Sequence, residues 1–185
     1  MTWVDLLLQR WRILKARREL PAGARLLDIG TYDGTLFRVT RMRGVGIDPA
    51  LRIDAAAPDG VVLVRGAFAT DLPDEPAGAF DAAAALAVVE HVPEPELEGW
   101  SQALARLVRP GGVLVITVPS PAVDNILHVL IRLHLVGGME AHQHHGFEPD
   151  DLVRLFAAPA WQLVKRQHFQ LGLNNLFVFR RDISA

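Results

Sequence analysis

The run Asp28-Ile29-Gly30-Thr31-Tyr32-Asp33-Gly34 concentrates residues that can do chemistry. It follows an apolar stretch, Arg25 to Ile29 (RLLDI), and its glycines allow a tight turn that a ligand can approach closely along the backbone. Eighteen positions after Gly30 stands Asp48, at the end of a second apolar stretch, Gly44 to Asp48. A carboxylate in that place is suited to accept hydrogen bonds from ribose hydroxyls. Glycine turn and carboxylate together point to a nucleoside-containing cofactor. Spacing discriminates further. The dinucleotide fingerprint G-x-G-x-x-G asks for glycine at 30, 32 and 35, where the chain has Gly30, Tyr32 and Thr35, a poor match for a nicotinamide cofactor. A G-x-G-x-G turn is met at Gly30 and Gly34.

Two further groups could move protons. Glu90-His91 follows the apolar stretch Phe80 to Ala85 and offers a base or a substrate ligand, histidine being the usual base at neutral pH, or else a turn residue bonded to backbone. His142, His144 and His145 cluster with Glu140 behind Gly137-Gly138. They read as a metal site, as pocket residues on a mobile lid with His144 and His145 supplying a base, or as a solvated loop. Their spacing fits no fixed metal template, so no metal is assigned. The chain has no cysteine, which excludes disulfides, zinc thiolates and thiol catalysis.

The elements that must position these groups alternate in type. The chain has 185 residues, half of them hydrophobic, with 22% charged and a net charge of −2. That is one domain with a substantial core. The charge balance argues against a nucleic-acid binder, which usually carries a basic face. Residues 3–19 predict an amphipathic helix with Trp3, Leu6, Leu7, Trp11 and Leu14 recurring near helical spacing, its tryptophans read as core. With five basic residues, this helix either packs across the fold or grazes an anionic membrane. Strands are predicted at 25–29, 44–48, 61–65, 80–85, 113–118, 161–168 and 175–180, and helices at 33–42, 94–108, 121–136 and 149–157. Pro110-Gly111-Gly112 should stop the 94–108 helix. The alternation predicts an α/β fold of Rossmann-like three-layer type with a mostly parallel seven-stranded sheet. The last two strands have only a short link, so one of them must run antiparallel near the edge. Residues 1–22 read as the N-terminal helix and 23–185 as the domain, with 119–148 as a cap segment. The 121–136 helix is apolar almost all round, which suits a core or dimer contact, an apolar substrate wall or a membrane-surface contact. No apolar run reaches the ~18 residues of a spanning helix, and the N-terminus has the wrong charge order for a secretory signal. A cytoplasmic setting is expected.

In order along the chain, LLDIGTYDG (26–34), GVGIDP (44–49), GAFATDLP (66–73), FDAAAALAVVEHV (80–92), LARLVRPGGVLVITVPSP (104–121) and HHGFEPDDLVRLF (144–156) resemble the motifs of the class I S-adenosylmethionine-dependent methyltransferases of small molecules. The resemblance covers about residues 25–180. It implies that Gly30 and Gly34 shape the loop under the cofactor's methionine part, with Asp28 fixing the turn or meeting the amino group. Asp48 would hold the ribose and Pro49 would lie against the adenine. The backbone of Ala67 and the ring of Phe68 would line the adenine edge and face, and Ala87 would border the sulfonium. Two positions depart from the family pattern: Tyr32 stands where the middle glycine is usual, and Ala67 where an acidic residue often reads the adenine amine. Tyr32 would instead wall the methionine end or the substrate mouth. Transfer to oxygen or nitrogen of a small, apolar or amphiphilic acceptor is the expected reaction, by a monomer or homodimer. A binding or scaffold protein that has kept the fold without transfer is the alternative.

Overall fold

The computed structural model describes residues 3–52, 56–120, 149–156 and 159–183. Short runs of β-branched and small apolar residues form the strands: β1 (Arg25–Ile29), β2 (Arg43–Asp48), β3 (Val61–Arg65), β4 (Phe80–Leu86), β5 (Val108–Pro119), β6 (Trp161–Phe169) and β7 (Asn174–Arg181). They make one seven-stranded sheet in the order β3-β2-β1-β4-β5-β7-β6. The pairs from β3 to β5 are parallel, and β7 runs antiparallel to both β5 and β6. The reversed strand thus lies one place from the edge, as the short connection before it required.

Side chains alternate across this sheet, so each strand feeds two cores. On one face Leu27, Ile29, Ala83, Ala85, Leu114 and Ile116 pack against α4 (Glu94–Leu107) and α5 (Pro149–Phe156). On the other, Leu26, Ala82, Ala84 and Val115 meet α1 (Trp3–Arg17) and α2 (Thr35–Thr40). A four-residue helix, α3 (Phe68–Asp71), follows β3. Three layers result, as expected.

Three local expectations change. Helix α2 is shorter than 33–42, because Gly34 takes the left-handed conformation before it and Arg41 takes it after. Asp33 Oδ1 accepts from the Thr35 amide at 2.9 Å and fixes the start. At the other site, α4 stops before Pro110: Val108 is already extended and paired with Phe80, and the glycines lie within an irregular stretch where β5 shifts register. Finally, α1 buries Ile13 and Ala16, while Trp3 and Trp11 are exposed rather than core. The predicted stripe sits roughly a third of a turn away from the one that packs. The 121–136 helix and most of the 119–148 segment lie outside the described residues.

Candidate active site

The order β3-β2-β1-β4-β5 reverses direction between β1 and β4, and ligands of open α/β sheets bind beyond the strand ends at such a point. Three strand ends converge there. After β1, Gly30 has φ +76°, and a Cβ on it would lie 2.1 Å from Val88 Cγ2, so no larger residue fits. Its amide donates to the Ile47 carbonyl at 2.8 Å, which ties the loop to β2. Tyr32 also adopts a left-handed backbone, φ +51°, although it is not glycine. Such a conformation costs an ordinary residue about 1–2 kcal/mol. Asp48, at the end of β2, holds it: Oδ2 accepts from the Tyr32 amide at 2.9 Å and Oδ1 from the Ala50 amide at 2.7 Å. Each carboxylate oxygen keeps a further lone pair for a ligand hydroxyl. After β4, Ala87 is left-handed as well, φ +59°. Strained backbone of this kind gathers at functional sites.

The electrostatics are set by burial. Asp28 is 3% exposed, and desolvation pushes its carboxyl up to about 7, with Asp48 and Asp33 adding to the rise and the Thr31 hydroxyl opposing it. Glu90 sits in the short 3₁₀ turn Val89–His91 and is 4% exposed. Burial pushes it up to about 7 too, against its own backbone amide and the Arg12 guanidinium. Glu90 Oε2 and Arg12 Nε are buried without a hydrogen-bond partner among the described residues. Burial likewise pulls the Arg12 guanidinium below its ordinary value. A cavity of about 60 Å³ joins Arg12 and Asp28, lined by Gln9 and Arg12 of α1 together with Asp28, Gly30, Thr31 and Tyr32.

Of the residues expected to act, Asp28, Gly30, Tyr32, Gly34, Asp48 and Ala87 share this end of the sheet. Pro49 is exposed beside Asp48, and Ala67 is exposed at the start of α3. The Phe68 ring is 5% exposed and packs edge-on against Trp100, centroids 5.1 Å apart, so it belongs to the core at this corner. Asp71 folds back there, and its Oδ2 accepts from the Ala67 amide at 2.8 Å. His91 is exposed on the turn whose Glu90 points inward. His144 and His145 lie outside the described residues. Among those described, no group of three His, Asp or Glu side chains is placed to hold a metal ion.

The sequence reading missed Gln9 and Arg12. It counted Arg12 only as one of the five basic residues of the N-terminal helix. Its signal was position: Arg12 adjoins Ile13, on the stripe that packs, and not the exposed stripe of Trp3, Leu7 and Leu14.

A family model for a methyltransferase domain matches residues 4–165. The chain belongs to this family. The methyltransferase domain is 34% identical over 117 residues to the ubiquinone biosynthesis O-methyltransferase of Xanthomonas axonopodis pv. citri, 58% of this chain and 48% of that one. The chain spans about half the length of the curated relatives it matches. Among solved structures, the S-adenosylmethionine dependent methyltransferase of Mesorhizobium loti superposes with a TM-score of 0.68 at 16% identity, covering 92% of this chain and 98% of that one. The glycopeptide N-methyltransferase MtfA, in complex with S-adenosyl-L-homocysteine, gives 0.67 at 14% identity, over 92% and 88% of the two chains. These methyltransferase likenesses establish the fold. No described helix is long and apolar enough to cross a membrane.

Proposed function

We propose that this chain transfers a methyl group from S-adenosylmethionine to an oxygen or nitrogen of a small molecule. The observation that carries the reading is the meeting, at the β1/β4 switch, of a glycine loop, a strand-end carboxylate and two buried polar atoms, Arg12 Nε and Glu90 Oε2, left without a hydrogen bond among the described residues. Family membership and the S-adenosylhomocysteine-bound neighbour indicate the cofactor. The residues suit it: Asp48 for the ribose hydroxyls, Asp28 for the α-amino group and Arg12 for the α-carboxylate. The cofactor supplies a methyl on a sulfonium, so the hard chemistry is its own. The protein's part is to orient the acceptor, which can supply ~7–11 kcal/mol of the barrier. Where the acceptor loses a proton, Glu90 at about 7 is matched to neutral pH. His91 at the rim, and His144 and His145, complete the set of candidate bases.

The alternative, a fold kept without transfer, rests on Tyr32 and Ala67. Tyr32 nonetheless holds the backbone conformation that suits glycine, and Asp71 brings a carboxylate to the Ala67 corner. Both features support a working cofactor site. We place the activity in the cytoplasm, on an apolar or amphiphilic acceptor. Calorimetry with S-adenosylhomocysteine is the decisive experiment: a saturable heat is expected, and its absence would favour the non-transferring alternative.

A further inference from the structure

Helix α1 carries two stripes. Gln9, Ile13 and Ala16 face the sheet and the cofactor cavity. Trp3, Leu7, Arg10, Leu14 and Arg17 recur at i, i+4, i+7, i+11 and i+14 and form the second stripe. Its apolar members are open to solvent, Trp3 at 72%, Leu7 at 55% and Leu14 at 41%, with Leu6 at 54% and Trp11 at 44% on its flanks. A contiguous exposed apolar surface marks an interaction site.

What it meets is decided by charge. The stripe borders a cleft of about 400 Å³ lined by Arg10, Leu14 and Arg17 of α1 and by Arg38, Val39 and Arg41 around α2. No carboxylate is among the described residues that line it. Arg38 pairs with Asp33, but the guanidinium groups of Arg10, Arg17 and Arg41 have no hydrogen-bonded or ion-paired partner among the described residues. The surplus is local. Residues 1–43 hold nine of the 19 Lys and Arg and four of the 21 Asp and Glu, net +5, whereas the rest of the chain is at −7.

We propose that this face of α1, with the arginine cleft beside it, docks on an anionic lipid bilayer. The cleft receives phosphate headgroups, and Trp3, Leu7, Trp11 and Leu14 enter the boundary between headgroups and acyl chains. Basic amphipathic helices with tryptophan and leucine on the apolar face lie in this plane, and tryptophan prefers this depth. A nucleic acid would use the arginines and leave five large apolar side chains in water. A second copy of the chain, packed by a two-fold axis, would bring the two arginine clusters against each other. Because the other stripe of the same helix reaches Arg12, the docked face lies next to the cofactor cavity. The proposal stands on surface residues alone and does not depend on the acceptor.

The test is co-sedimentation of the full chain with phosphatidylcholine vesicles, with and without one third phosphatidylglycerol. Binding is expected only to the anionic vesicles, and it should fall as salt rises. Arg10→Gln, Arg17→Gln and Arg41→Gln combined should weaken it by about a hundredfold. Trp3→Ser with Trp11→Ser should abolish it, while circular dichroism and S-adenosylhomocysteine affinity stay at wild-type values. A chain that ignores anionic vesicles, or one whose binding survives both sets of substitutions, would overturn the proposal. So would a lipid-free dimer in sedimentation equilibrium that the tryptophan substitutions dissociate.

Discussion

The two halves of the sheet solve different problems with similar strands. The half from β3 to β4 is built on very small residues, Gly44 and Gly46 in β2 and Ala82 to Ala85 in β4, and its ends hold the buried carboxylates Asp28, Asp48 and Glu90. The half made of β5, β7 and β6 is filled by aromatic rings. Phe177 and Phe179 stack at 6.3 Å, Phe156 tilts against Phe179 at 5.8 Å, and Trp161 is buried beside them. Its buried polar side chains are neutral: Thr117, Gln170, Asn174 and Asn175. Stacked aromatic rings are therefore concentrated in one half and buried ionisable groups in the other. Buried carboxyl groups oppose folding unless a ligand or partner repays them. Stability and cofactor binding should accordingly respond to different substitutions.

The strongest attempt to break this division is Phe177→Ala. The ring is fully buried, and its removal should cost about 3–5 kcal/mol in urea denaturation. Affinity for S-adenosylhomocysteine, expressed per folded molecule, should not change. A parallel loss of affinity would mean that the halves are one cooperative unit for binding as well.

Asp48→Ala is the converse. Removing the proposed charged acceptor for the ribose hydroxyls should weaken S-adenosylhomocysteine by about 1.5–3 kcal/mol in calorimetry. The Tyr32 and Ala50 amides also lose their acceptor, so stability should fall by about 1–2 kcal/mol. Unchanged affinity in a folded variant would remove Asp48 from the site.

Protons probe the same half. Asp28 ionises near pH ~4 in an unfolded chain but is held protonated up to about 7 in the fold. Over that interval the folded state keeps a proton that the unfolded state releases. The group's contribution to stability is thus complete below pH ~4 and is lost as pH rises through 7. Asp28→Asn should flatten this fall, gaining on wild type by on the order of 1 kcal/mol or more between pH 5 and 7.5 in denaturation curves. Ligand affinity should move oppositely. A cationic α-amino group favours the ionised carboxylate, so wild-type affinity should rise through pH 7 while the Asn variant stays flat.

Much of this contrast is legible in the amino-acid sequence. Strands with continuous apolar runs announce a sheet covered on both faces, and the short link before Asn174 forced the antiparallel strand. Gly30 and Asp48 were marked by spacing. What failed to show was anything decided by which side of a helix packs. Trp3, Leu7 and Leu14 have a more convincing apolar period than Ile13 and Ala16, yet the smaller residues are buried, because the close approach of α1 to the alanines of β4 leaves no room for large rings. Arg12 was hidden for the same reason, since a basic residue in a basic helix carries no mark of burial. Nor does sequence distinguish Glu90 from His91. Only the 3₁₀ turn, which sends one inward and leaves the other in water, separates them.

The finest comparison uses backbone strain, which occurs in both halves. Ala87 has φ +59° at the cofactor end of β4, and Leu171 has φ +58° in the turn between β6 and β7, where its side chain is 95% exposed. Glycine adopts this conformation without penalty, although it adds freedom to the unfolded chain. Both Ala87→Gly and Leu171→Gly should therefore stabilise the protein by about 0.5–1 kcal/mol in urea midpoints. The difference should lie in binding. Leu171 is a turn residue remote from the carboxylates, and its replacement should leave S-adenosylhomocysteine affinity untouched. Ala87 fixes the turn that leads to Glu90, and a looser turn must be ordered again by the ligand. Its replacement should cost affinity by roughly the stability gained, about two- to fivefold. Equal affinities for the two variants would show that the strain after β4 is incidental to the site.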